Sequence, residues 1–128
     1  MLYYSATFTT FVMSNSGKHR TIVFFKDYFG LFFEKQREKV KAKIAWTLKL
    51  IETLPFIPET YLKHIENSKG LYEIRVQMGS DIFRIFCFFD EGQLIILING
   101  FNKKTQKTPS VEIQKALSIK QEYENEKK

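Results

Sequence analysis

The sequence predicts an α+β fold in which a mostly antiparallel β-sheet carries its helices on one face. Three observations support this. A β-branched run near the N-terminus leads into a long helical pattern that stops at a proline; three strand-like runs then follow with short turns between them; and an apolar helical pattern opens on Pro109-Ser110. Strand runs joined by tight turns form a meander, and helices before and after it cover its apolar side.

Thr21-Ile22-Val23-Phe24-Phe25-Lys26 is β-branched and aromatic, as a strand requires, and Asp27 is placed to cap a helix. Over residues 28–54 the pattern is helical, because Val40, Ile44, Leu48 and Ile51 recur at spacings of four, four and three and so share one face. Either one long helix spans this stretch or a break near Gln36-Arg37 makes a helical hairpin. Pro55 ends the helix and Pro58 keeps the next segment extended.

Residues 56–69 read as a loop. Over residues 71–78 the chain alternates: Tyr72, Ile74, Val76 and Met78 face one side, and Glu73, Arg75 and Gln77 the other. Gly79-Ser80-Asp81 is a turn, residues 82–89 are a second strand, and Asp90-Glu91-Gly92 is a hairpin loop. Residues 93–101 form a third strand whose run Leu94-Ile95-Ile96-Leu97-Ile98 is apolar on both faces. The last helix carries Val111, Ile113, Ala116 and Leu117. Residues 18–120 are expected to form a single domain. Residues 1–17 make a peripheral N-terminal segment or a short added edge strand, and residues 121–128 a charged tail that frays.

With 128 residues, 44% of them hydrophobic and 16% aromatic, the chain has the composition of a folded domain rather than a disordered one. Its formal charge of +6 favours encounters with anionic partners such as nucleic acid, although solubility alone explains a charge of this size equally well. The lone Cys87 lies in Ile85-Phe86-Cys87-Phe88-Phe89, surroundings of an inert core thiol, and with His19 and His64 the only histidines no metal-ligand spacing is present. No metal or cofactor is therefore expected. No run reaches the about 18 apolar residues of a membrane span, and the N-terminus has no basic n-region, so the expected setting is the reducing cytoplasm, without membrane contact.

Chemistry concentrates on the meander. Arg75 and Arg84 each interrupt an apolar strand, and Lys103, Lys104 and Lys107 follow the third. A half-buried arginine costs several kcal/mol unless an anionic group offsets it. Hairpin register brings Arg84 near Arg75 on the sheet face the helices leave open, which makes a surface suited to phosphate. Ordinary ion pairs of these arginines with Glu73 and Asp81 are the alternative. Lys35, Lys39 and Lys43 recur at helical spacing as a solvated face, or as a contact for RNA or an acidic protein segment.

The string Gly70-Leu71-Tyr72-Glu73-Ile74-Arg75, the Arg84 strand, and Gly100-Phe101-Asn102-Lys103-Lys104-Thr105-Gln106-Lys107-Thr108-Pro109 together resemble the phage-derived, HigB-like branch of the RelE/ParE toxin superfamily, over roughly residues 20–117. That resemblance implies a RelE-like fold and the toxin half of a type II toxin–antitoxin pair, which cleaves mRNA on the ribosome through attack of a ribose 2′-hydroxyl. The implied partners are a cognate antitoxin of helix-turn-helix type, the ribosome and mRNA, and operator DNA through the antitoxin. Such chemistry needs a proton acceptor, cations for the developing charge and a proton for the leaving oxygen. Arg75 and Arg84 are expected to clamp the phosphate and Lys103 or Lys104 to act as acid/base, while Lys107, Phe101, Lys63 and His64 hold RNA. The chain departs from many relatives at Asn99, where they carry a histidine before the Gly-Phe pair. The alternatives of the same fold are a ParE-like gyrase poison and a non-catalytic antitoxin-binding module.

Overall fold

Eight elements follow one another: β1 (Thr21–Phe24), α1 (Tyr28–Glu34), α2 (Glu38–Thr53), β2 (Leu62–His64), β3 (Tyr72–Met78), β4 (Asp81–Asp90), β5 (Leu94–Lys103) and α3 (Ser110–Lys127). The computed structural model describes residues 18–91, 94–105 and 107–127, with residues 94–96 described by their backbone alone. The expected N-terminal segment over residues 1–17 lies outside the described residues, as do Gly92, Gln93, Gln106 and Lys128.

The strands form one five-stranded sheet in the order β1-β5-β4-β3-β2. β1 runs parallel to β5 and the other three pairings are antiparallel, so the sheet is mixed but mostly antiparallel. The helical stretch is a hairpin of two helices. Arg37 is extended (φ −71°, ψ 163°), which interrupts the helical hydrogen bonding between Glu34 and Glu38. Leu54, just before Pro55, is likewise extended, as a residue preceding proline must be. Arg20 secures that helix end by donating to the carbonyls of Ile51, Leu54 and Pro55.

The apolar stripe of α2 behaves as its spacing predicts. Val40, Ile44, Leu48 and Ile51 are buried with Phe29 and Phe33 of α1 against Ile22, Ile74, Val76, Phe83, Ile85, Cys87 and Leu97. The alternation of β3 holds as well, with Tyr72 and Met78 packed against this same cluster. Cys87 is a buried free thiol, and burial pushes its pKa up.

Three expectations are corrected. The helices do not share one face: α3 packs Ala116 and Ile119 against Phe25, Leu71, Phe86, Phe88 and Ile98, a second cluster on the opposite side of the sheet. Alternate positions of β4 and β5 are apolar on that side too, and covering each such side chain is worth about 1.5–3 kcal/mol. The expected fraying after residue 120 is also absent through Lys127. Tyr123 and Lys127 donate to Asp90 at 2.6 and 2.7 Å, and Lys26 pairs with Glu122 and Glu126. Finally, the expected loop over residues 56–69 contains β2, which pairs with β3 through Leu62, Lys63 and His64.

Candidate active site

Arg75 and Arg84 are direct cross-strand partners on β3 and β4. Glu73 lies two positions before Arg75 and shares its face of the strand. Lys103 pairs with Ile82, two positions before Arg84, so the last side chain of β5 reaches this face as well. The sheet therefore gathers a carboxylate, two guanidiniums and an ammonium on the side that α1 and α2 leave uncovered.

Two like charges directly opposite one another repel, and Arg84 is only 8% exposed. Glu73, at 5% exposure, supplies the offset. Its Oε2 lies 3.4 Å from Nε of both Arg75 and Arg84, and its Oε1 accepts the Thr108 hydroxyl at 2.8 Å. Neither Nε makes a hydrogen bond, so these are ionic contacts without aligned donation. Arg84 Nη1 donates to the Phe83 carbonyl at 3.0 Å and Arg75 Nη1 to the Glu59 carbonyl at 3.4 Å. Asp81, the other acidic neighbour, is engaged by Arg37 at 3.1 Å. Since one carboxylate faces Arg75, Arg84 and Lys103, the cluster keeps an excess of positive charge.

Electrostatics single out Lys103 among the lysines. Burial holds its ammonium below the ordinary lysine value; Arg84 adds to this, Glu73 opposes it, and Arg75 and Lys63 contribute in the lowering direction. Burial also lowers the Arg84 guanidinium, with Glu73 acting against it.

Two clefts open beside the cluster. One, of about 520 Å³, is lined by the cations Lys63, Arg75 and Lys103 and the carboxylates Glu59, Glu66 and Glu73, together with His64, Ile65 and Thr108. The other, of about 430 Å³, lies towards α2 and is lined by Lys43, Thr47, Thr60, Tyr61, Arg75, Val76, Gln77 and Arg84. Arg75 belongs to both.

Of the residues singled out from the sequence, Arg75, Arg84, Lys103, Lys63 and His64 come together here. His64, expected to hold RNA from a loop, lies on a strand instead. β2 sets it against Tyr72 (ring centroids 5.1 Å apart) at the wall of the first cleft. Lys104 and Lys107 are exposed beyond the end of β5, and neither is among the described residues lining the clefts. Phe101, opposite Arg84, stacks on Phe86 (5.5 Å, 23°) and packs on the cluster beneath α3, so one face of its ring is already covered. Asn99 sits in a bulge between the Cys87–Leu97 and Ile85–Gly100 pairs, buried and with both amide atoms unbonded. Sequence reasoning missed the second cleft. The spacing of the helical lysines marks Lys43 as a contact for RNA or an acidic segment, but nothing marks Tyr61, which meets Trp46 edge to face at 5.9 Å. Among the described residues no group of His, Cys, Asp and Glu is placed to hold a metal ion, and no helix is long and apolar enough to cross a membrane.

A helical hairpin, a mixed five-stranded sheet and a closing helix, with basic side chains gathered on the meander, make up the RelE-like α+β architecture. A family model described as "Phage derived protein Gp49-like (DUF891)" matches residues 31–121, and the chain belongs to this family, which in general is one of RelE/HigB-type toxins. No curated protein matches the chain.

Proposed function

We propose that the protein is the toxin of a type II toxin–antitoxin pair and acts as a ribosome-dependent endoribonuclease on mRNA in the cytoplasm. The observation that supports this best is the convergence of Arg75, Arg84 and Lys103 around one shared carboxylate. Membership of the Gp49-like family supports the toxin class. A cognate antitoxin, and through it operator DNA, completes the set of partners.

In this reading the scissile phosphate lies in the cleft beside Arg75 and Lys103. The ribose 2′-oxygen forms a bond to the adjacent phosphorus while the bond from phosphorus to the 5′-oxygen breaks, which leaves a cyclic phosphate and a free 5′-hydroxyl. Lys103 as the neutral amine takes the hydroxyl proton; its lowered pKa makes that form more accessible than in an ordinary lysine. Lys104, outside the cleft, is the weaker candidate for this step. Arg75, whose planar guanidinium suits two phosphate oxygens at once, offsets the charge that builds there, and Arg84 adds its field from the neighbouring cleft. Glu73 engages the Nε side of both arginines and keeps their cost to the fold low. The proton that Lys103 takes up returns to the departing 5′-oxygen, and His64 holds RNA at the wall of the cleft. Lys63 holds the backbone beside it, with Lys107 and Phe101 contributing further out.

Induced expression tests the reading. Translated mRNAs are expected to be truncated within codons and growth to stop, whereas gyrase-linked DNA breaks with intact mRNA would replace this reading with a ParE-like one.

A further inference from the structure

The cleft on the α2 side differs from its neighbour in charge. Its described lining includes three cationic side chains, Lys43, Arg75 and Arg84, and no carboxylate, whereas Glu59, Glu66 and Glu73 all line the other cleft. It exists because β2 is short. β2 pairs with β3 only at Tyr72, Glu73 and Ile74, and the last β2-side contact is the Arg75 amide donating to the Tyr61 carbonyl at 2.8 Å. Beyond that point β3 stays paired with β4 but not with β2 on its outer edge, and α2 lines the cleft with Lys43 and Thr47.

An aromatic group stands beside these cations. Tyr61 lines the cleft, its ring meets Trp46 edge-on at 5.9 Å, and the Lys43 ammonium lies 4.7 Å from the centre of the Trp46 ring. Cations that track a backbone and a ring on which a base stacks are the two components of single-strand recognition. An acidic peptide would use the cations, and the ring only if it also carried a side chain that stacks, whereas every nucleotide brings both a phosphate and a base.

We propose that this cleft is a second subsite for single-stranded RNA. It would hold the nucleotide flanking the scissile phosphate, with Lys43 and Arg75 on backbone phosphate and Tyr61 against a base. The inference rests on the endoribonuclease reading, since Arg75 then links the two clefts along one strand. Lys43, Tyr61 and Trp46 are positioning and affinity residues in this scheme and take no part in proton transfer.

Fluorescence anisotropy with uncleavable 2′-O-methyl oligoribonucleotides tests it, using a short probe of about four nucleotides and a longer one of about ten. Tyr61→Ala and Lys43→Ala are expected to weaken binding of the longer probe by about tenfold each and to leave the short probe nearly unaffected. Lys43→Ala should also reduce the salt dependence, and Tyr61→Phe should restore the stacking and the affinity. Unchanged affinity of both alanine variants for the longer probe, while Arg75→Ala/Arg84→Ala weakens both probes, overturns the subsite and leaves the cleavage site standing. A wild-type protein that binds neither probe overturns the subsite, while the endoribonuclease reading stands or falls separately with cleavage on ribosomes. A glutamate-rich peptide that binds through Lys43 where RNA does not reassigns the cleft to a protein partner and overturns the proposal.

Discussion

Arg75 and Arg84 face each other directly across the β3–β4 ladder, and both guanidiniums lie 3.4 Å from the same carboxylate oxygen, Glu73 Oε2. The fold thus places two cations where repulsion is strongest and supplies a single anion to balance them. The charge left over after this structural offset is what the proposed chemistry uses.

Glu73 should therefore matter more for stability than either arginine. Glu73→Ala leaves two opposed and largely buried guanidiniums uncompensated and is expected to cost about 2–4 kcal/mol in urea unfolding. Adding Arg75→Ala to it should recover part of that loss, because the repulsion disappears with the second cation. A cost well under about 0.5 kcal/mol would mean that solvent already screens the pair.

Lys103 carries a prediction about pH. Its folded pKa is lowered, so the neutral amine appears at lower pH than for an ordinary lysine. Cleavage should rise with pH along a limb whose midpoint falls below the ordinary lysine value of about 10.4. Lys103→Arg keeps the charge but not a removable proton. It should lower the cleavage rate by about 10²–10⁴-fold and abolish that limb, while Lys104→Arg should do neither.

Glu52 is predicted to weaken the fold at neutral pH. It is fully buried at the end of α2, neither carboxylate oxygen has a well-aligned hydrogen bond, and burial raises its pKa, with Lys18 and then the Ile22 backbone amide acting in the opposite direction. A carboxyl whose folded pKa is raised binds its proton more tightly in the native state. Stability therefore falls as pH climbs from the unfolded value through the folded one. Glu52→Gln is expected to unfold at a higher temperature than wild type at neutral pH, with the advantage shrinking on mild acidification.

The docking of α3 has the opposite pH dependence. Lys127 and then Tyr123 hold the Asp90 carboxyl below its ordinary value by hydrogen bonding. The contribution is present above the unfolded carboxylate pKa and is lost as pH falls through the folded one. Tyr123→Phe should cost about 1 kcal/mol at neutral pH and speed hydrogen exchange in the last turns of α3.

Periodicity made most of the scaffold legible. The stripe Val40-Ile44-Leu48-Ile51 and the alternation of β3 depend only on local spacing, and both pack as that spacing requires. The convergence of Arg75 with Arg84 was also within reach, because a short turn after Met78 constrains the register of the next strand. What the sequence hid was long-range. A strand of three residues, Leu62–His64, is too short to show a period, so the approach of His64 to the cleft left no trace in the pattern. The run through Leu97 and Ile98 showed that both faces of β5 are apolar, yet which helix covers the second face depends on where α3 returns. The cleft between Lys43 and Tyr61 arises only once α2 and the β2–β3 edge are packed together. The bulge at Asn99 likewise depends on tertiary pairing.

The most direct test of the central claim is cleavage of an mRNA held on purified translating ribosomes, with wild-type protein compared to Arg75→Ala/Arg84→Ala. Wild type is expected to cut within codons and to leave a cyclic phosphate and a 5′-hydroxyl, and the double variant, still folded by circular dichroism, to lose at least about 10²-fold in rate. Full activity of the folded double variant, or intact mRNA with the wild-type protein, would contradict the account.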